Sequence, residues 1–225
     1  MNTMDFRRQT GIFNPSGKIC SIGVVGCGGI GSAFVTIISK MGISDIEVWD
    51  HDFAEEYNIP NQFLPIESVG VNKTIALNSQ TIYTSGVALK CHEKKFEQGS
   101  LLGRLAPTIL VMAVDNMSIR KMIFEEARKA IGIELIIDGR MSGETYTIVS
   151  TLSDYMESWH EQPEEDIPCS EKAIIYNTMA IGSDMAIIVK KFLNKEKFPK
   201  VIKGDCKNFI KLTGDDYKWL IHRKQ

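Results

Sequence analysis

A doubly wound α/β fold on a mostly parallel sheet is predicted by three features of the 225-residue sequence. Residues 22–50 read as a complete βαβ unit. Apolar β-branched runs alternate with helical spacing along most of the chain. The run TILVMAV at 108–114 is apolar throughout, as in a strand buried on both faces, and it ends on an acid. These features imply right-handed crossovers and a Rossmann-like sheet, with antiparallel strands allowed at its C-terminal side.

Within the 22–50 unit, Gly26, Gly28 and Gly31 stand in GxGxxG spacing, Gly29 is added, and Asp50 follows 19 residues after the last of them. The first glycine permits a tight turn, the second lets a phosphate approach the backbone, and the third lets helix and strand pack closely. The helix from about residue 30 directs its N–H groups and positive dipole end toward such a phosphate. Asp50, at the end of the second strand, can accept from ribose hydroxyls. A lone GxGxxG is a weak signal, and a turn kept only for packing is the plainer alternative. Here the motif follows a strand, opens a helix and has its acid at the expected distance. The unit reads as an adenosine nucleotide site, able to hold NAD, FAD, S-adenosylmethionine or ATP.

Composition sets the bounds. With 44% hydrophobic, 24% charged and 8% aromatic residues and a net charge of −2, the chain is ordinary for a globular protein and carries no nucleic-acid signature. One sizeable core fits this length, so a single domain over 1–225 is expected. The longest apolar runs, such as 108–114 and 186–189, fall far short of the ~20 residues a membrane span needs. The opening residues are polar with no apolar stretch after them. A cytoplasmic protein without membrane contact is the expectation. Five cysteines with no CxxC pair argue against a disulfide framework and a zinc ribbon, and the four histidines are scattered.

Residues 1–18 form an arm with Phe6-Arg7-Arg8-Gln9 and a Gly/Asn/Pro/Ser turn at 11–17. A solvated arm is the plainer reading of its arginines, although such an arm is also free to reach across a dimer interface. A loop follows at 52–60, and Gly70 ends another turn. A helix is expected over 73–83, starting near Asn72, because Ile75, Ala76 and Ile82 recur among good helix formers. Lys73 stands at its start, where a cation opposes the dipole, mild evidence for a ligand that needs it. Then come a strand at 87–91, a short helix at 96–105, the buried strand ending at Asp115-Asn116, a helix at 118–130, and strands at 134–138 and 144–152. Residues 153–168 are acidic, hold two prolines and have no period, so they read as a mobile crossover loop. A strongly apolar helix is expected over 177–193. The tail, 190–225, has eleven Lys/Arg against four Asp/Glu and reads as a solvated basic face.

Asp50, Asn58, Asn61, Gln62, Lys73 and Asp115 all fall toward the carboxyl edge of this sheet, where open α/β sheets bind ligands. A nicotinamide enzyme would use only the first and would need a substrate domain. A triphosphate needs a lysine or arginine and a magnesium ion held on one or two carboxylates. Neither a Walker A loop nor a kinase motif set is present. Nucleotidyl transfer fits best.

On these residues the sequence resembles the ThiF/MoeB-like adenylyltransferases, relatives of ubiquitin-activating enzymes, over roughly residues 8–192. The matching pieces are Arg8-Gln9, GCGGIGS at 26–32, WDHD at 49–52, NIPNQF at 58–63, VGVNK at 69–73, VDN at 114–116 with Arg120, and PCSEKAIIYNTMAIGSDMA from Pro168. The resemblance implies that the glycine turn, Asp50, Asp52, Asn58, Asn61, Gln62, Lys73 and Asn116 hold ATP. Asp50 would hold the ribose, Gln62 and Lys73 the phosphates, and Asp115 would bind Mg²⁺. Arg8 would reach into the partner subunit's site of a homodimer. The implied reaction is attack by the C-terminal carboxylate of a small ubiquitin-like or sulfur-carrier protein, or a peptide, on the α-phosphate. It gives an acyl adenylate and pyrophosphate, chemistry that needs positioning and charge neutralisation more than acid/base groups.

Two departures stand out. Asn61 occupies a position where the family usually has arginine, so charge there is weakened or supplied by another group such as Arg7 or Arg140. The family's paired CxxC motifs are missing, so no structural zinc is expected. Cys169 falls where some relatives have a cysteine that receives the acyl group, and is a candidate for thioester or acyl-disulfide formation, against the plainer reading of a buried thiol. A non-catalytic nucleotide-binding member of the fold, which Asn61 makes more plausible, and an NAD-dependent dehydrogenase are the alternative functions.

Overall fold

The computed structural model describes residues 4–152 and 173–214. The first strand, β1 (Ile22–Val25), leads through the glycine turn into α1 (Gly29–Lys40). β2 (Ile46–Trp49) returns beside β1 in parallel, with Ile22 opposite Ile46. The chain then passes through α2 (Lys73–Ser85) to the edge strand β3 (Lys90–His92), and crosses to the other side of β1 as β4 (Ile109–Met112). After α3 (Met117–Lys129), β5 (Leu135–Ser142) joins β4 in parallel. From there the sheet turns antiparallel through β6 (Thr145–Leu152), β7 (Val201–Asp205) and β8 (Ile210–Gly214), with α4 (Ile175–Leu193) between β6 and β7. The spatial order is β3-β2-β1-β4-β5-β6-β7-β8. Strand order reverses at β1, so β2 and β4 leave it on opposite sides and open a crevice at the carboxyl ends of the strands.

Side-chain alternation along the strands sorts the core into two layers. Ile22, Val24, Val111 and Ile137 pack with Phe34 of α1, Leu77 of α2 and Met185 of α4. Val25, Trp49, Leu110 and Ile136 face the other way, onto Ile123, Phe124 and Ala127 of α3. Helices α1 and α4 touch closely because Gly182 lies on Ala33 and Phe34, where an added Cβ would stand 3.1 Å from the Phe34 nitrogen.

Local chemistry explains the helix ends. Asn72 caps α2 by accepting from the Thr74 N–H at 2.9 Å, and Gly86 closes that helix in the left-handed conformation. Asn116 caps α3 by accepting from the Ile119 N–H at 3.0 Å.

Three expectations are corrected. Residues 96–105 form turns instead of a short helix: Gly99 and Gly103 take positive φ, and the Gly99 N–H is drawn to the Glu126 carboxylate at 2.7 Å. The strand expected at 87–91 shrinks and shifts to Lys90–His92, because the Leu89 N–H is held by the Asn78 side chain at 2.8 Å. The basic tail is not merely a solvated face, since its residues 201–205 and 210–214 extend the sheet with Val201 and Ile202 buried. Its lysines hide the period-two pattern that would have marked a hairpin. The proposed crossover loop at 153–168 lies outside the described residues. Among the described residues, no helix is long and apolar enough to cross a membrane.

Among the described glycines the least room is at the third of the turn, where a Cβ on Gly31 would lie 1.9 Å from the Gly26 carbonyl oxygen. Gly31→Ala is therefore expected to lower the unfolding free energy by about 3 kcal/mol or more, measured by urea denaturation, because only backbone movement relieves the clash.

Candidate nucleotide site

The glycine turn lies at the crevice. Gly26 has φ of +98° and packs so closely against β4 that a Cβ would stand 2.6 Å from the Ala113 carbonyl oxygen. Around Gly28 the space is open among the described residues, since a Cβ there would meet only the Gln62 amide nitrogen, at 4.0 Å. Gly28 is also the N-cap of α1, and among the described residues no side chain caps the helix. A helix start with uncapped N–H groups beside an open glycine is a ready anion cradle.

Asp50 closes this turn from β2. Its Oδ2 accepts from the Cys27 N–H at 2.7 Å and its Oδ1 from the Asp52 N–H at 2.9 Å. The half-buried carboxylate is thus fixed, and each oxygen keeps a further lone pair for a ribose hydroxyl. Asn72 ties the start of α2 to the same place by donating to the Asp50 carbonyl at 3.2 Å. Lys73 is buried, and its ammonium reaches the Asp52 carboxylate at 3.0 Å. That partner offsets the unfavourable position of a cation in the first turn of α2.

The loop bearing Asn58, Asn61 and Gln62 is a short 3₁₀ segment, Glu56–Asn61, anchored to α1 where the Phe63 N–H donates to Ser32 Oγ at 2.9 Å. Asn58 Oδ1 and Gln62 Oε1 are buried with no hydrogen-bond partner among the described residues. Two buried amide oxygens without partners among the described residues, one of them on the side chain next to Gly28, fit a polar ligand between loop and turn. The Asn61 carbonyl presses against Gly29, together with Thr178 and Met141, where a Cβ would lie 2.9 Å from the Thr178 methyl.

Asp115 is exposed just past β4, and Asn116 commits its side-chain oxygen to the α3 cap. Behind them lies a cluster that spacing did not reveal. Arg120, 3% exposed, pairs with the buried Asp138 of β5, and Arg140 pairs with the same carboxylate at 2.6 Å. The one available signal was an acid directly after the apolar stretch of β5, since a buried charge demands a partner. Burial draws the Arg120 guanidinium below its ordinary value, and the charge of Asp138 opposes that shift.

The remaining residues fall elsewhere. Arg8 is exposed beside Gln9, whose amide donates to the Met41 carbonyl at 2.9 Å. Met41 ends α1, so the arm lies at the far end of that 12-residue helix, about 18 Å from the glycine turn of its own chain. Cys169 lies outside the described residues. Asp50, His51 and Asp52 could each offer one metal-ligand atom, all within 4.8 Å of one another; Asp115 is not in that group. A magnesium ion needs only one or two protein carboxylates when a nucleotide supplies phosphate oxygens, so Asp115 fits such an ion by its chemistry.

Residues 17–220 match the sequence model of the ThiF family. The chain belongs to the ThiF family. Among curated relatives it is 28% identical over 137 residues to the adenylyltransferase and sulfurtransferase MOCS3 of Anopheles gambiae, covering 57% of this chain and 31% of that protein. It is 25% identical over 185 residues to the ubiquitin-like modifier-activating enzyme 6 of Homo sapiens, covering 68% of this chain and 16% of that protein. The chain therefore spans under a third of the length of these relatives. Its fold is shared with E. coli MccB solved with ATP (TM-score 0.72, 18% identity, 87% of this chain and 64% of that one). PaaA is similar too (TM-score 0.71, 17% identity, 87% and 63%).

The ThiF-family glycine turn contains a thiol, Cys27, which is fully buried, and burial with the Asp50 charge pushes it well above its ordinary value. Burial likewise pushes Cys20 up to about 12. Because the thiolate is the reactive form, both cysteines of the native protein should resist iodoacetamide at pH 8, read by mass spectrometry, and react once the chain is unfolded in urea.

Proposed function

We propose that this protein is an ATP-dependent adenylyltransferase that activates the C-terminal carboxylate of a small ubiquitin-like or sulfur-carrier protein, or of a peptide. The observation that carries this reading is the convergence at one sheet edge of an open glycine turn, a fixed carboxylate at Asp50, a buried lysine at Lys73 and the buried side-chain oxygens of Asn58 and Gln62, which have no partner among the described residues. Membership in the ThiF family supports it. MOCS3 is by name an adenylyltransferase, and enzyme 6 a ubiquitin-like modifier-activating enzyme. MccB has been solved with ATP and with MccA.

In this reading the turn and the α1 N-terminus hold phosphate, Asp50 holds the ribose, and Lys73 moves part of its charge from Asp52 to the phosphates. Asp115 would hold a magnesium ion, which supplies charge neutralisation at the phosphates when bound. The incoming carboxylate is already ionised, so these residues bind, orient and screen charge and move no proton. The far placement of Arg8 supports a homodimer in which the arm of one subunit completes the site of the other.

Asn61 favours a second reading, a nucleotide-binding protein without adenylation, because it carries no charge. Of the two substitutes, Arg7 is exposed and paired with Asp5 on the distant arm, and Arg140 is buried and committed to Asp138. The first reading is preferred because Lys73 keeps a cation close to the glycine turn.

ATP–pyrophosphate exchange with candidate Gly-Gly-terminated proteins and peptides tests the two readings. Mg²⁺-dependent exchange that vanishes in Asp115→Ala supports adenylation, and ATP binding without exchange for any partner supports the second. Lys73→Ala should lower exchange by about 1.5–3 kcal/mol, or roughly 10- to 150-fold, through loss of a charge-assisted contact. Cys169→Ser should keep exchange while abolishing any thioester seen on a non-reducing gel.

A further inference from the structure

We infer that Arg120 is a positioning residue that holds Asp115 ready for a divalent cation; this rests on the reading of Asp115 given above. Its Nη2 donates to the Val114 carbonyl, the peptide group directly ahead of Asp115, and to the Gly139 carbonyl at 2.9 Å. Its Nη1 donates to Asp138 Oδ1 and, at 3.4 Å, to the Met112 carbonyl at the end of β4. One guanidinium therefore ties the end of β4, the turn after it and the neighbouring strand β5 together. Asp138 cannot swing away, because Arg140 holds its second oxygen through Nε at 2.8 Å and Nη2 at 2.6 Å. On the other flank of Asp115, Asn116 is fixed by its cap contact with Ile119.

The backbone on both sides of Asp115 is thus immobilised while its carboxylate stays exposed. A carboxylate meant for Mg²⁺ benefits from this arrangement, since that ion tolerates little departure from octahedral geometry and an ordered ligand loses less entropy on binding. Stability alone does not call for it. A buried guanidinium between strand and helix is costly to desolvate, and an apolar side chain would bridge the same elements more cheaply. Arginine is needed because its planar fork reaches several acceptors at once, which lysine cannot do.

The test is Arg120→Lys, which keeps the charge and loses the fork. Mg²⁺ is titrated calorimetrically at a fixed concentration of the uncleavable analogue AMPCPP. The Mg²⁺ concentration for half-saturation should rise about 10- to 100-fold, the range for removing a group that orients a metal ligand, with metal-free analogue affinity unchanged. A folded variant with a lower melting temperature and an unmoved Mg²⁺ requirement would reduce Arg120 to an architectural role and overturn the inference. Wild-type protein provides a check that needs no variant. Without nucleotide, the amides of Asp115 and Asn116 should show NMR order parameters near ~0.85, and values below ~0.6 would overturn the inference too. If wild-type protein binds AMPCPP with no Mg²⁺ dependence, the assignment of Asp115 itself falls, and the role of Arg120 with it.

Discussion

The contact on which the rest depends is the approach of α1 to the end of β1. No atom fits between Gly31 and the Gly26 carbonyl, and none between Gly26 and the Ala113 carbonyl just past β4. Those absences of side chain let the helix begin immediately above the sheet and let two parallel strands end side by side beneath it. Because α1 starts there, its first N–H groups face the crevice. Because β4 ends there, Asp115 is delivered to the same edge. A methyl group at either glycine would separate these parts.

Electrostatics then makes the edge rigid. Asp50 receives two backbone N–H groups from different loops, one on each oxygen, so the turn and the β2 loop share one carboxylate. Across β1, the buried Asp138 takes one guanidinium on each oxygen and links α3 to β5. Each carboxylate bridges parts of the chain that no continuous secondary structure connects. At the buried Asp138 the bridge holds geometry firmly, since breaking it leaves a charge buried without its partner. Between them lie Lys73, Gln62 and the open side of Gly28, the part of the edge left able to meet a ligand.

Much of this was legible before any coordinates. GxGxxG followed by an acid at fixed distance prescribes a βαβ unit, because each glycine answers a local steric demand. Asn72 announced α2, since a capping side chain acts on an N–H two residues away. The run at 108–114 announced a buried strand through apolarity alone. What failed has an equally physical cause. At 96–105, helix-forming residues lost to two glycines in the left-handed region and to a carboxylate 27 positions further along the chain. In the tail, lysines standing among the strand residues masked a hairpin whose Val201 and Ile202 join the core, and one of them, Lys211, pairs with the buried Asp184 at 2.7 Å.

The sequence by itself determined the elements whose causes are local: the glycine turn, the caps, the buried strands and the types of residue gathered at the carboxyl edge. Only the tertiary structure decided which of those residues meet. It paired Lys73 with Asp52, joined Arg120 and Arg140 through Asp138, left the side-chain oxygens of Asn58 and Gln62 without partners among the described residues, and put Arg8 at the opposite end of α1. The reason is that hydrogen bonding and charge pairing act over a few ångströms of space, whereas the residues involved lie as many as 21 positions apart in the Lys73–Asp52 pair and 18 in the Arg120–Asp138 pair. Distances of that kind are set by the packing of helices on a sheet, and no local pattern encodes them.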